Sequence, residues 1–204
     1  NLVLINHIIS FGNLGLQRYN IGFKTPLVKD KLFFGVNALY TKRDGFLKND
    51  TTGRGKTEKN IQGVRVGDEE SLYGNAYLRW FPSAKFSATL NLKAQTDKSD
   101  ATGFMLSVPD EKLAFANPDK IYLTRIGNHQ RNIVNTSLNL KYYGSGYTLT
   151  SISATQNIGM AYKNIDFPGY YSTFYDKEVG EMLPPQTVFT QEFRINSNKT
   201  DSKL

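Results

Sequence analysis

Between Phe86 and Thr96 the chain alternates without a break. Phe86, Ala88, Leu90, Leu92 and Ala94 take every second position, and Ser87, Thr89, Asn91, Lys93 and Gln95 fill the positions between them. A strand sends successive side chains to opposite faces, so this stretch has one greasy face and one polar face. The pattern recurs along the chain. Tyr19, Ile21 and Phe23 oppose Arg18, Asn20 and Lys24, and Leu32, Phe34, Val36, Ala38 and Tyr40 oppose Gly35, Asn37 and Thr41. Ala76, Leu78 and Trp80 oppose Asn75, Tyr77 and Arg79, and Val134, Leu138, Leu140 and Tyr142 oppose Asn135, Ser137, Asn139 and Lys141. Phe189, Phe193 and Ile195 oppose Glu192 and Arg194. Residues 147–156 read as a strand of ambiguous facing, and residues 4–11 as a weaker strand. An all-β chain of about eight antiparallel strands follows.

The connections narrow this further. The segments 43–70, 97–131 and 157–186 are long, whereas 12–15, 26–31, 81–85, 144–146 and 197–203 are short. The alternation predicts all long loops at one end of the strands and all short turns at the other. Outer-membrane barrels have this asymmetry, with short periplasmic turns and long extracellular loops. Three long loops without structure of their own are unusual in a soluble domain. Each strand is read as about ten residues, the length a tilted strand needs to cross the hydrocarbon core. Tyr19, Tyr40, Tyr73, Trp80, Phe86, Tyr142 and Tyr147 fall near strand ends, as interfacial girdles require.

Composition excludes several functions. There is no Cys and there are two His, so neither a disulfide framework nor a thiolate or imidazole metal site is expected. Asp68, Glu69 and Glu70 lack the spacing of a calcium loop. The net charge of +7 is spread along the chain and mixed with acids, which does not point to nucleic acid. No apolar run reaches the roughly 18 residues of a membrane helix, and no signal peptide is visible at residues 1–10. No nucleophile motif or acid–base pair is placed, so no enzyme and no cofactor is expected.

Four motifs carry a family resemblance. They are Phe23-Lys24-Thr25-Pro26-Leu27-Val28-Lys29-Asp30-Lys31-Leu32, Thr41-Lys42-Arg43-Asp44-Gly45-Phe46-Leu47-Lys48-Asn49, Tyr73-Gly74-Asn75-Ala76-Tyr77-Leu78-Arg79-Trp80-Phe81-Pro82-Ser83 and Thr190-Gln191-Glu192-Phe193-Arg194-Ile195. In this order and spacing they resemble the first part of the barrel in TonB-dependent outer-membrane receptors. The resemblance implies a 22-stranded barrel closed by an N-terminal plug. It also implies uptake of a scarce nutrient such as a ferric siderophore, energised by the TonB complex. Residues 1–204 are expected to hold neither the plug nor the TonB box, and residues 201–204 do not resemble a closing strand. Residues 1–204 are therefore expected to be one partial barrel domain, a transmembrane segment forming an open curved sheet in isolation, and TonB would be met only through the missing N-terminal region.

Candidate ligand contacts lie in the long loops. Tyr162, Phe167, Tyr170, Tyr171, Phe174 and Tyr175 could stack on the rings of an iron chelate or a sugar. Arg43, with Lys48, Arg54, Lys56, Lys59 and Arg65, could steer an anionic complex or meet lipopolysaccharide phosphates. Acids are interleaved with them, so a merely solvated loop competes with that reading. Two other architectures fit the same alternation: a soluble carbohydrate-binding module and a complete eight-stranded membrane barrel. In the second, residues 4–11 would pair with residues 187–196.

Overall fold

The computed structural model describes residues 3–52, 57–100, 111–163 and 184–197. The strands are β1 (Leu4–Gly12), β2 (Leu16–Val28), β3 (Leu32–Arg43), β4 (Leu47–Asn49), β5 (Arg65–Val66), β6 (Glu69–Ser83), β7 (Phe86–Asp100), β8 (Lys120–Ile121), β9 (Asn128–Tyr143), β10 (Tyr147–Lys163) and β11 (Gln186–Ser197), with one short helix, α1 (Glu111–Ala116). Eight strands form one antiparallel sheet in the order β1-β2-β3-β6-β7-β9-β10-β11. Strands β1 and β11 are its two edges, so the sheet is open and the closed eight-stranded barrel is ruled out. No helix among the described residues is long and apolar enough to cross a membrane, which leaves crossing by strands untouched.

The two faces of this sheet differ in the opposite sense from a soluble protein. Leu72, Leu90 and Leu92 are 50%, 44% and 47% exposed, whereas Ser87 and Thr150 are each 8% exposed. Through the strand pairs Ser87 and Thr150 share the face of Lys141 and Arg194. Three hollows lie on this polar face. One of about 410 Å³ is lined by residues that include Arg79, Thr89, Asn91, Asn139, Lys141 and Tyr143, and others involve Lys93, Asn135 and Gln156 or Lys24 and Tyr77. Crowding on one face and splaying on the other mark the polar face as concave. Among the described residues, no layer covers the apolar face of this sheet.

Aromatic rings edge that apolar face at both ends. At the short-turn end Trp80 meets Phe86 edge-on with centroids 6.4 Å apart, and Tyr142 meets Tyr147 at 6.4 Å. At the other end Phe11 meets Tyr19 at 6.1 Å and Tyr19 stacks on Tyr40 at 6.2 Å. Tyr73 departs from the expected girdle. It pairs with Leu39 and Gln95, which places it on the polar face.

Three further expectations need correction. The turn at residues 12–15 is short yet lies at the long-loop end, where Asp44 N donates to Leu14 O at 2.8 Å. In an up-and-down sheet successive connections alternate ends whatever their length. Positive φ at Leu14 (59°) and Gly15 (62°) gives this hairpin the primed turn that matches strand twist. Most strands of the large sheet are also longer than ten residues: β6 and β7 have 15 each, β9 has 16 and β10 has 17, while β1 has nine. The loop-side ends of the longer strands therefore extend beyond the ten-residue stretches read from the alternation.

Finally, the first two long loops are not structureless. Strands β4 and β5 from one loop and β8 from the next form a second sheet in the order β5-β4-β8. The residues with the least exposure, Val66, Ile121 and Asn49, lie in this unit and not in the large sheet. Val66, Ile121 and Leu123 form its core, with Leu47 and Ile126 packed against it. At Gly45 the backbone of Val66 approaches so closely that a Cβ would lie 2.6 Å from its carbonyl, which explains a glycine there.

Candidate functional site

The loop-side ends of the long strands form a polar rim. Register carries one row across five strands: Arg43 on β3, Glu69 on β6, Ser99 on β7, His129 on β9 and Tyr162 on β10. Alternation puts the whole row on the concave face. Arg43 and Tyr162, both singled out from the sequence, thus belong to one row although they are far apart in the chain. The row below holds Asp97 and Arg131 as a cross-strand pair.

Electrostatics tie the rim together. The Arg43 guanidinium bonds Glu69 at 3.0 Å and lies over the Phe46 ring, 5.2 Å from its centroid. Its Nε is buried without a hydrogen-bond partner. Arg131 donates to Asp97 Oδ2 from Nε at 3.0 Å and from its terminal nitrogen at 2.8 Å. Gln95 donates to the other oxygen of Asp97 at 2.8 Å. Arg43, read from the sequence as an anion-steering charge, is thus paired with Glu69 and lies against Phe46.

Tyr162 stacks on His129 with ring centroids 4.7 Å apart and planes 20° from parallel. The pair forms a flat aromatic element on the concave side of the rim. Burial and the nearby Arg131 charge lower the His129 pKa from its ordinary 6.5, with Asp97 opposing them. Folding thus favours the neutral imidazole. The stability this contributes is fully present above about pH 6.5 and declines as pH falls below it, where the unfolded chain binds the extra proton. The protection factors of the amides at residues 128–131 and 160–162, which correct for the intrinsic slowing of exchange in acid, are expected to fall between about pH 7.5 and pH 5, and His129→Gln should remove that fall. An unchanged pH response in His129→Gln would show that another group is responsible.

The loop unit is seated on the same strand ends. Gly67 N donates to Asp100 Oδ2 at 2.6 Å, and Asp100 N to Asp68 Oδ1 at 3.1 Å. Within the unit Asn49 joins the loops. Its Nδ2 donates to Ile61 O at 3.1 Å and Leu123 O at 3.2 Å, and its Oδ1 accepts from Leu123 N at 2.8 Å. Asp50 pairs with Lys120 at 2.9 Å across the same seam. Hydrogen bonds from Thr52 and from the Lys120 ammonium hold the Asp50 carboxyl well below the usual carboxylate range.

No sequence period marks Asn49, Asp50, His129 or Arg131 as partners, because each meets a residue from a different strand or loop. The cross-strand register finds them. Phe167, Tyr170, Tyr171 and Phe174 lie outside the described residues, as does Tyr175. Lys48 and Arg65 fall on paired strands β4 and β5, and Arg54 and Lys56 lie outside the described residues. Among the described residues no group of three or more metal-ligating side chains is gathered.

No family profile matches this sequence, and no curated protein does. A solved structure does resemble it: the ferric yersiniabactin uptake receptor FyuA from Yersinia pestis, with a TM-score of 0.64 at 15% identity. The match covers 81% of this chain and 24% of that one, so the chain spans about a quarter of the receptor's length. At that identity the likeness speaks to architecture, and the chain has the fold of a β-barrel segment, an open antiparallel sheet of eight strands.

Proposed function

We propose that this chain is part of the wall of a TonB-dependent outer-membrane receptor that imports a scarce nutrient, with a ferric siderophore or similar iron complex as the favoured substrate class. The observation that carries the reading is the inverted sheet. Its apolar face is exposed between aromatic belts and its polar face is concave, which suits lipid outside and a wet lumen inside. The four sequence motifs and the likeness to a siderophore receptor support the substrate class. A soluble carbohydrate-binding sandwich would need its greasy face covered, and the described residues cover it with nothing. The proposed role is transport rather than catalysis, in contact with lipid and lipopolysaccharide, and the TonB complex would be met through another part of the protein.

Within that reading the Tyr162–His129 stack lies where a ligand would enter, on the concave side of the rim. A stacked ring contributes about 0.5–1.5 kcal/mol, so Tyr162→Ala should weaken ligand binding by up to about tenfold. The test is uptake of radioactive iron, supplied as a panel of ferric chelates, by iron-starved cells with and without the full-length protein. Protein-dependent uptake of one chelate supports the reading. No protein-dependent uptake of any of them, with the protein present in the outer membrane, would remove iron complexes as the substrate class.

A further inference from the structure

Three arginines on the concave face are each paired with an acid: Arg43 with Glu69, Arg131 with Asp97 and Arg194 with Glu192. Nearer the short turns two more cations lie without one. Arg79 on β6 and Lys141 on β9 line the hollow of about 410 Å³, one on either side of β7. Ser87 and Thr89 of β7 lie between them, and Asn139 of β9 completes that part of the lining. Register places these residues in two adjacent rows, Arg79–Thr89–Asn139 and Ser87–Lys141. Among the described residues those rows hold one acid, Glu192 on β11, and Arg194 already bonds it.

The donors around this hollow are unspent. Arg79 lies over the Tyr77 ring, 5.9 Å from its centroid, and among the described residues no carboxylate bonds it or Lys141. Asn91 donates to Ser137 Oγ at 3.3 Å, whereas Ser87, Thr89 and Asn139 make no side-chain hydrogen bond to another described residue. Ser87 is nevertheless only 8% exposed. A buried hydroxyl without a protein partner is satisfied by what enters the hollow it lines. Thr89 lies about 34 Å along β7 from Ser99 of the rim row, at about 3.4 Å per residue. The hollow is therefore separate from the Tyr162–His129 stack.

We propose that this hollow binds a small organic anion through a carboxylate or phosphate group. Arg79 presents a planar fork of N–H donors and Lys141 a compact ammonium, and both suit oxyanions. Two like charges facing one hollow repel until an anion lies between them, and a neutral sugar leaves that repulsion in place. The Ser87 and Thr89 hydroxyls and the Asn139 amide supply donors for further oxygens. A water occupies about 30 Å³ of liquid, so the hollow of about 410 Å³ has room for an organic anion and not merely a bare ion. The site follows from the polar face of the sheet and stands apart from the transport reading and its cargo.

The test is isothermal titration calorimetry on the full-length protein, folded in detergent, with tricarballylate, glucose 6-phosphate and glucose as probes. Saturable binding of at least one anion and none of glucose is expected, and the anion that binds separates carboxylate from phosphate recognition. Lys141→Ala and Arg79→Ala should each weaken that binding about tenfold, through loss of a charge-assisted hydrogen bond. Lys93→Ala, on the same face but outside this hollow, should change it less than about twofold, because screening separates the two places. Raising salt from about 50 mM to about 500 mM should weaken binding by the parent severalfold, a readout that requires no variant. No saturable binding of either anion, equal binding of glucose, binding that salt leaves unchanged, or equal loss in Lys141→Ala and Lys93→Ala overturns the site.

Discussion

Leu90→Arg is expected to stop the full-length protein from assembling in the outer membrane, whereas Asn91→Arg should assemble normally. The two positions are chain neighbours, but register puts them on opposite faces. Leu90 lies between Leu78 and Leu138 on the exposed apolar face, and Asn91 lies between Tyr77 and Ser137 on the concave one. An arginine facing lipid near the midplane costs about 2–4 kcal/mol, and one facing the lumen remains in water. Strand β7 is central in the sheet, so its neighbours cannot shift to release the charge. The readout is heat-modifiable gel mobility and the amount of folded protein in isolated outer membranes. Equal assembly of both variants would contradict the proposed membrane placement.

Asn49→Leu is expected to unfold the loop unit while leaving the large sheet intact. The side chain is 1% exposed and makes three hydrogen bonds to backbone groups of residues 61 and 123. Leucine has a similar size but leaves the N–H and carbonyl of Leu123 without the amide, and Ile61 O with only its longer bond from Val64 N at 3.4 Å, in a buried place. Each such group costs about 1–3 kcal/mol. The unit's core of Val66, Ile121 and Leu123 is too small to absorb several such losses. Amide exchange should quicken throughout residues 47–49, 61–66 and 119–123, with no change in β7 or β9. Breaking the more exposed seam contact with Asp50→Asn should have a smaller effect, because Lys120 can turn to water. If Asn49→Leu exchanges like the parent, the two loops are held together by something other than this amide.

These two variants also mark how far sequence reasoning reaches. Period-two alternation was sufficient to place β2, β3, β6, β7 and β9 and to sort their residues into two faces, because strand geometry allows only that sorting. Leu90 and Asn91 were therefore separable before any coordinates. The same logic failed on β10, where Ser151, Ser153 and Thr155 face the apolar side and Ile152 and Ala154 the polar side. With polar residues on both faces the period carries no sign, and pairing with β9 had to supply it.

Length was misjudged for a related reason. Toward the loop-side ends the strands carry no greasy face, so the alternation fades while the hydrogen-bond ladder continues to Asp100, Asn128 and Lys163. The candidate rim lies in that continuation. Arg43 and Tyr162 were legible individually as a charge and an aromatic near loops. Their shared row, the commitment of Arg43 to Glu69, and the His129 and Arg131 partners were not.

By itself, then, the sequence determined which residues pair into a strand face, that the chain is an antiparallel β sheet, and which connections are long. These are local consequences of a two-residue repeat. Only the tertiary structure decided which face is concave, that β1 and β11 stay apart, and that two long loops close on one buried asparagine. Those depend on contacts between residues far apart in the chain, such as Asn49 with Leu123, and no linear period records a contact made through space.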